Sequence, residues 1–155
     1  MIAVIQRTTR ASVTVAGECI AAIDRGVLAL VAVERGDGLH QATRLAERLL
    51  AYRIFPDQDG KMNRSLGDIG GELLLVPQFT LAADTAKGMR PSFTPAADPP
   101  LGEALFTTLV DECRRRLSSL LVAQGRFGAD MQVSLVNDGP VTFILRTAPE
   151  TAPPR

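Results

Sequence analysis

Few side chains in this sequence are of the kinds that carry out chemistry, and their spacing narrows the choice further. Thr80 is the first candidate, a hydroxyl placed just after the apolar run Leu73 to Val76 and the tripeptide Pro77-Gln78-Phe79. A threonine hydroxyl needs a neighbouring base before it can act as a nucleophile. No histidine or amine stands near it in sequence, so the competing role is a strand-end hydroxyl that satisfies the backbone. His40 is the only histidine and lies in Gly38-Leu39-His40-Gln41, where a helix is expected to start. It reads as a solvated helix-start residue, because a zinc site or a histidine-based triad needs partners this chain does not supply. The 2 cysteines, Cys19 and Cys113, have neither metal spacing nor a disulfide framework, and both read as buried small hydrophobes. The acidic loop Pro56-Asp57-Gln58-Asp59-Gly60 lacks the glycine and terminal glutamate of an EF-hand. Neither a P-loop nor a dinucleotide fingerprint occurs. No metal and no cofactor is expected.

Two stretches remain that deserve an element to hold them, Gln78-Phe79-Thr80 and Asn137-Asp138-Gly139-Pro140. The first follows a buried strand predicted over Glu72 to Val76. The second joins two strand-like runs, Met131 to Val136 and Val141 to Arg146. Pro140 cannot donate to a ladder and marks a break, a bulge or an edge. Local composition alone favours a trans turn there.

The N-terminal part reads as strand after strand: Met1 to Arg7, Ala11 to Val15, Cys19 to Ile23 and Val27 to Val33. The last of these is continuously apolar, as a strand covered on both faces would be. A helix is predicted from Leu39 to Arg53, with Leu45, Leu49 and Tyr52 on one face. A second is predicted from Leu101 to Leu121, with the stripe Leu105, Leu109, Cys113, Leu117. Arg114, Arg115 and Arg116 read as its solvated face, favoured by the helix dipole. Lys61 to Leu66 is a polar connector, and Val122 to Asp130 connects the second helix to the final strands. Ala82 to Pro100 is a long loop carrying Lys87 and Arg90, and such loops in compact domains are functional or disordered.

The order predicts an α+β fold, a mostly antiparallel β-sheet or barrel with two packed α-helices. With 155 residues, 46% hydrophobic and 22% charged, one domain over residues 1–147 is expected, followed by a flexible tail, 148–155. The formal net charge of +0 argues against binding by bulk attraction to nucleic acid, while leaving room for a local basic patch. No signal peptide or membrane-length apolar run is seen, so the expected address is the cytoplasm, with no membrane partner.

Taken together and in order, the segments resemble the D-aminoacyl-tRNA deacylases. The resemblance runs from Met1-Ile2-Ala3-Val4-Ile5-Gln6-Arg7 to about Leu145. It takes in Arg53-Ile54-Phe55, Gly60-Lys61-Met62-Asn63, Gln78-Phe79-Thr80-Leu81, Lys87-Gly88-Met89-Arg90-Pro91-Ser92-Phe93, Gly125 to Met131 and Asn137 to Thr142. It implies a homodimer that hydrolyses the ester of D-aminoacyl-tRNA, or of glycyl-tRNA mischarged on tRNA(Ala), at the 3′ end. No DNA partner is implied. It implies a cis Gly139-Pro140 bond that enters the partner subunit's pocket, where backbone carbonyls meet the substrate ammonium and exclude L side chains. Arg7 would orient those carbonyls and Met131 would form pocket wall. Gln78, Phe79 and Thr80 would make the catalytic segment: backbone N–H groups for the oxyanion, Phe79 against the terminal adenine, Gln78 on ribose or adenine. Core packing for Phe79 and loop capping for Gln78 stay open. Lys87 and Arg90 become candidates for tRNA phosphates, against a plain solvated loop. One departure stands out: Pro77 occupies the position of a family serine. The alternatives are therefore an RNA-binding member with impaired catalysis, or a relative with a trans Gly-Pro bond that tolerates some L substrates.

Overall fold

The computed structural model describes residues 1–148; apart from Ala148, the expected tail lies outside the described residues. The chain forms β1 (Ile2–Val15), β2 (Glu18–Ile23), β3 (Gly26–Ala32), α1 (Leu39–Ala51), β4 (Phe55–Pro56), β5 (Met62–Arg64), α2 (Leu66–Ile69), β6 (Glu72–Pro77), a 3₁₀ turn (Phe79–Ala82), α3 (Pro99–Arg116), β7 (Val122–Gln124) and β8 (Gln132–Arg146). The sheet order is β2-β1-β3-β6-β7, with β8 on β1, and β4 and β5 make a separate small ribbon. β1 pairs antiparallel with β2, β3 and β8, whereas β3–β6 and β6–β7 are parallel. The fold is α+β, a nearly closed sheet with the two long helices packed on it.

The continuous apolar runs are explained by two core clusters on opposite faces. Along β3, Val27, Ala29 and Val31 enter the cluster under α1 and α3, while Leu28 enters the second. In β6, Leu73 and Leu75 take the first side and Leu74 and Val76 the second. Side chains alternate across a strand, so burial on both faces leaves no polar position. β1 and β8 change sides instead. Ala3 and Ile5 serve the first cluster, Ala11 and Val13 the second, with register shifts between Gln6 and Arg10. Opposite them, Leu145 and Val141 serve the first cluster, and Val133 and Leu135 pack on the second. The segment between, Asn137 to Pro140, lies at this crossing.

The helices bury the expected stripes. Leu45 and Leu49 of α1 and Leu105, Leu109 and Cys113 of α3 are buried, with Tyr52 and Leu117 packed partly against them. Burial pushes the Cys113 thiol up to about 12, with the Glu112 charge adding to the effect. Arg116 reaches Glu47 on α1 at 3.2 Å as well as Glu112 at 3.3 Å. The Met1 amino group is buried against Asp37 Oδ1 at 2.8 Å and donates to the Thr147 carbonyl at 3.1 Å. Among the described residues, no helix is long and apolar enough to cross a membrane.

Several expected elements differ. Ile2–Val15 is one strand, because the two apolar halves are joined through the bend at Gln6 to Arg10. Met131 to Val136 and Val141 to Arg146 are likewise one strand, β8, running through Asn137 to Pro140. Pro140 does not end it because β8 pairs with β1 alone among the described strands, and an edge tolerates a residue without an N–H. The Gly139-Pro140 bond is cis, as the family resemblance implies and against what local composition alone favours. α3 begins at Pro99, since proline suits the first helical turn, and stops at Leu117, which leaves helical angles. α1 ends at Ala51 rather than Arg53. The connector after Lys61 holds α2, capped reciprocally by Ser65 and Asp68: Asp68 N donates to Ser65 Oγ at 3.3 Å and Ser65 N to Asp68 Oδ2 at 2.8 Å. β7 lies inside the expected connection, pinned when the Arg114 guanidinium donates to the Val122 carbonyl at 3.2 and 3.3 Å. Arg114 is thus structural rather than merely solvated. Cys19 is exposed, not buried, because it is the second residue of the edge strand β2, beside a bulge in the β1–β2 register.

Candidate active site

A cavity of about 600 Å³ opens where β3, β6, the start of α3 and the segment before β8 converge. Its walls are apolar: Val31 and Val33 from the β3 side, Val76 from β6, Phe106 from α3, and Phe127, Met131 and Val133. Its polar side chains are few, Gln78, Arg35 and Asp98. Among the described residues, the lining contains no histidine, cysteine, lysine or tyrosine. No group of three or more histidine, cysteine or acidic residues among the described residues is arranged to hold a metal ion.

The segment Pro77 to Thr80 forms the lip. Pro77 ends β6, and the ladder to β3 resumes immediately, Gln78 N donating to the Val31 carbonyl at 2.7 Å. Two residues earlier, the Leu75 carbonyl accepts from Gly125 N at 2.8 Å on the opposite side. Alternation therefore aims the Pro77 nitrogen away from β3, past the last β7 pair, Leu75 with Gln124. No ladder bond is lost by having an imino acid there. Its ring lines the cavity and offers no donor.

Phe79 is 57% exposed and meets Phe93 in a tilted ring contact at 5.2 Å. That exposure removes the core-packing reading and leaves an aromatic face at the cavity. Phe79 and Thr80 open the 3₁₀ turn, so their N–H groups have no acceptor within it. Gln78 Nε2 donates to Thr80 Oγ1. The Thr80 hydroxyl is thus turned to an amide, not to a base, and Thr80 does not line the cavity. Met131 lines the cavity and accepts a long contact from Arg126 N at its Sδ, 3.4 Å.

The second stretch lies apart. Gly139 and Pro140 are exposed and are not on the cavity wall of their own chain. The bulge they form is clasped from both ends: Asn137 Oδ1 accepts from Val141 N at 3.0 Å, and Asn137 Nδ2 donates to Thr142 Oγ1 at 3.0 Å. Gln6 Nε2 adds a third bond, to Thr142 Oγ1 at 3.2 Å. Arg7 reaches the base of the bulge, Nε donating to the Asp138 carbonyl at 2.9 Å and a terminal nitrogen to the Ile54 carbonyl at 2.8 Å. A Cβ built on Gly139 would collide with the Val141 nitrogen and lie 2.7 Å from Val141 Cγ2. Glycine is required there by close approach.

Lys87 and Arg90 are exposed on a hairpin closed by the Asp84–Ser92 bridge, outside the cavity. Phe93, just beyond that hairpin, joins it to the cavity wall. Sequence reasoning missed Arg35, Asp98, Phe106 and the structural clasp of Asn137 and Thr142. The clasp had a signal, an Asx side chain a few residues before a hydroxyl across a turn. The other wall residues had none, since they are scattered from residue 31 to residue 133.

A family model described as D-Tyr-tRNA(Tyr) deacylase matches residues 4–146. The chain belongs to this family. It is 67% identical over 153 residues to a D-aminoacyl-tRNA deacylase of Methylococcus capsulatus, covering 99% of each chain. A D-aminoacyl-tRNA deacylase of Nitrosococcus oceani is 62% identical, with 96% of this chain and 95% of that one covered. Among solved structures, the c-Myc DNA Unwinding Element Binding Protein superposes with TM-score 0.91 at 39% identity, covering 96% of this chain and 99% of that chain. A probable eukaryotic D-amino acid tRNA deacylase superposes with TM-score 0.78 at 17% identity, covering 93% and 97%, a likeness of fold. This member of the family has the clasped Asn137 to Thr142 bulge and carries proline at position 77.

Proposed function

We propose that the protein hydrolyses the ester of D-aminoacyl-tRNA, and of glycyl-tRNA mischarged on tRNA(Ala), releasing tRNA and the D-amino acid or glycine. The observation that carries this reading is a cavity whose described lining has few polar side chains and no histidine, cysteine, lysine or tyrosine, in a chain similar over 99% of its length to a named deacylase. Water adds to the ester carbonyl, the bond to the ribose oxygen breaks, and that oxygen leaves with a proton. Backbone N–H groups of the lip around Phe79 and Thr80, unpaired within the 3₁₀ turn, stabilise the developing oxyanion, with Phe79 the one of the two on the cavity wall. No side chain in the lip is activated as a nucleophile, and the vicinal hydroxyl of the substrate ribose assists instead. Phe79 stacks on the terminal adenine, Gln78 bonds to the nucleoside, and Met131 closes the wall.

Discrimination is assigned to a second copy of the chain. β8 presents an unpaired edge with Val136, Phe143 and Ile144 exposed, the pattern of an interface. A homodimer across this edge brings the exposed Gly139-Pro140 bulge of one protomer to the cavity of its partner. Its carbonyls take the substrate ammonium, and an L side chain meets the same backbone. Lys87 and Arg90 contact tRNA phosphates. Such a substrate implies work in the cytoplasm.

The test is deacylation of D-Tyr-tRNA, L-Tyr-tRNA and Gly-tRNA(Ala) by the purified protein beside Pro77→Ser. Fast release from the D and glycyl esters, with the L ester spared, supports the reading. Spontaneous rates that serine at position 77 restores would support instead an RNA-binding protein with impaired catalysis.

A further inference from the structure

Among the described residues, Arg35 is the one positively charged side chain on the cavity wall, and the assigned roles leave it unused. Its place is fixed by backbone. Residues Val33 to Arg35 run beside Pro95 to Ala97: Ala97 N donates to the Val33 carbonyl at 3.1 Å and Arg35 N to the Pro95 carbonyl at 2.9 Å. Glu34 and Ala96 form an isolated bridge. The guanidinium is tethered only through Nε, to the Ala96 carbonyl at 3.3 Å. Its two terminal nitrogens have no acceptor among the described residues, and no carboxylate there pairs with it. Asp98 lines the same cavity without reaching it.

The neighbouring helix start cannot substitute. α3 opens with Pro99 and Pro100, which have no N–H, behind the Asp98 carboxylate. The usual affinity of a helix N-terminus for an anion is therefore blunted. Arg35 alone offers the paired donors that suit a phosphate.

We propose that Arg35 takes the phosphodiester joining the terminal nucleoside to the rest of the RNA, so that the cavity reads a nucleotide and not a bare nucleoside. This rests on the deacylase reading. Phe79 and Arg35 line the same cavity, which sets an aromatic face and a cation around a single bound nucleotide. Arg35 is a binding residue that lowers KM for tRNA and leaves the ester chemistry to the lip.

The test compares D-Tyr-tRNA with D-tyrosyl-adenosine, which carries the same ester but no phosphate, for wild type, Arg35→Ala and Arg35→Lys. Arg35→Ala is expected to raise KM on the tRNA ester by roughly tenfold or more, beyond any change on the nucleoside ester. The slope of log KM against log salt should fall by about one. Lysine should restore that slope while recovering only part of the affinity, because it loses the paired geometry. Equal losses on both esters, or no loss on tRNA, would overturn the assignment while deacylation itself stands. Wild-type protein inactive on both esters would remove the deacylase reading and this assignment together.

Discussion

Phe79 and Gly139 bear on the proposed chemistry in different ways, one through its ring and one through having no side chain. The ring of Phe79 is more than half exposed, so its removal costs the fold little. Phe79→Ala should raise the dissociation constant for D-aminoacyl-tRNA by roughly 5- to 150-fold, the range of a lost base stack of about 1–3 kcal/mol. Equilibrium binding beside a thermal melt checks both halves of that statement. Gly139→Ala forces a Cβ against the Val141 nitrogen, so the bulge must shift. Loss of D-specific activity or of D-over-L discrimination is expected from parallel rates on the two esters; wild-type rates on both would sink it. The two cysteines give a third check. Cys113 is buried with its thiol pushed up to about 12, whereas Cys19 is exposed. A thiol reagent at neutral pH should therefore label one cysteine in the native protein and both after denaturation.

At the scale of elements, α3 is tied to its neighbours by charged side chains as well as by its apolar stripe. Hydrogen bonds from Arg115, and then from Arg116, hold the Glu112 carboxyl below its ordinary value of 4.5. A carboxylate whose folded value is depressed contributes stability that is fully present above its unfolded value. That contribution disappears as pH falls through the folded value. Glu112→Gln should accordingly lower stability slightly near neutrality and flatten the loss below about pH 4.5, read from denaturation midpoints across pH. The stripes of α1 and α3 and the doubly buried runs of β3 and β6 were legible in the sequence, because burial on fixed faces imposes a period. α2 and β7 were not. They have 4 and 3 residues, too few for any period, and depend on a reciprocal cap and on the Arg114 contact to Val122. Pro140, legible locally as a break, a bulge or an edge, does not divide β8, because on an edge its missing donor costs nothing.

For the whole molecule, the distribution of parts matters more than any one of them. The lip at Pro77 to Thr80 and the bulge at Asn137 to Pro140 were both legible as motifs. Their separation within one chain could be expected only from the resemblance, since no local pattern shows how β1 and β8 cross between the two core clusters. The exposed edge of β8 gives the corresponding prediction. Ile144 is 63% exposed on that edge, so Ile144→Glu should leave the fold intact, yield a monomer by sedimentation and abolish deacylation. A fully active monomer would refute the shared site. A last consequence follows from the way the β3 ladder passes Pro77 undisturbed. Work entrusted to peptide groups does not depend on which residue supplies them, so this lip can drift in sequence without losing its form. An inhibitor anchored on those groups would meet no side chain whose replacement could release it, and resistance would demand a new chain path.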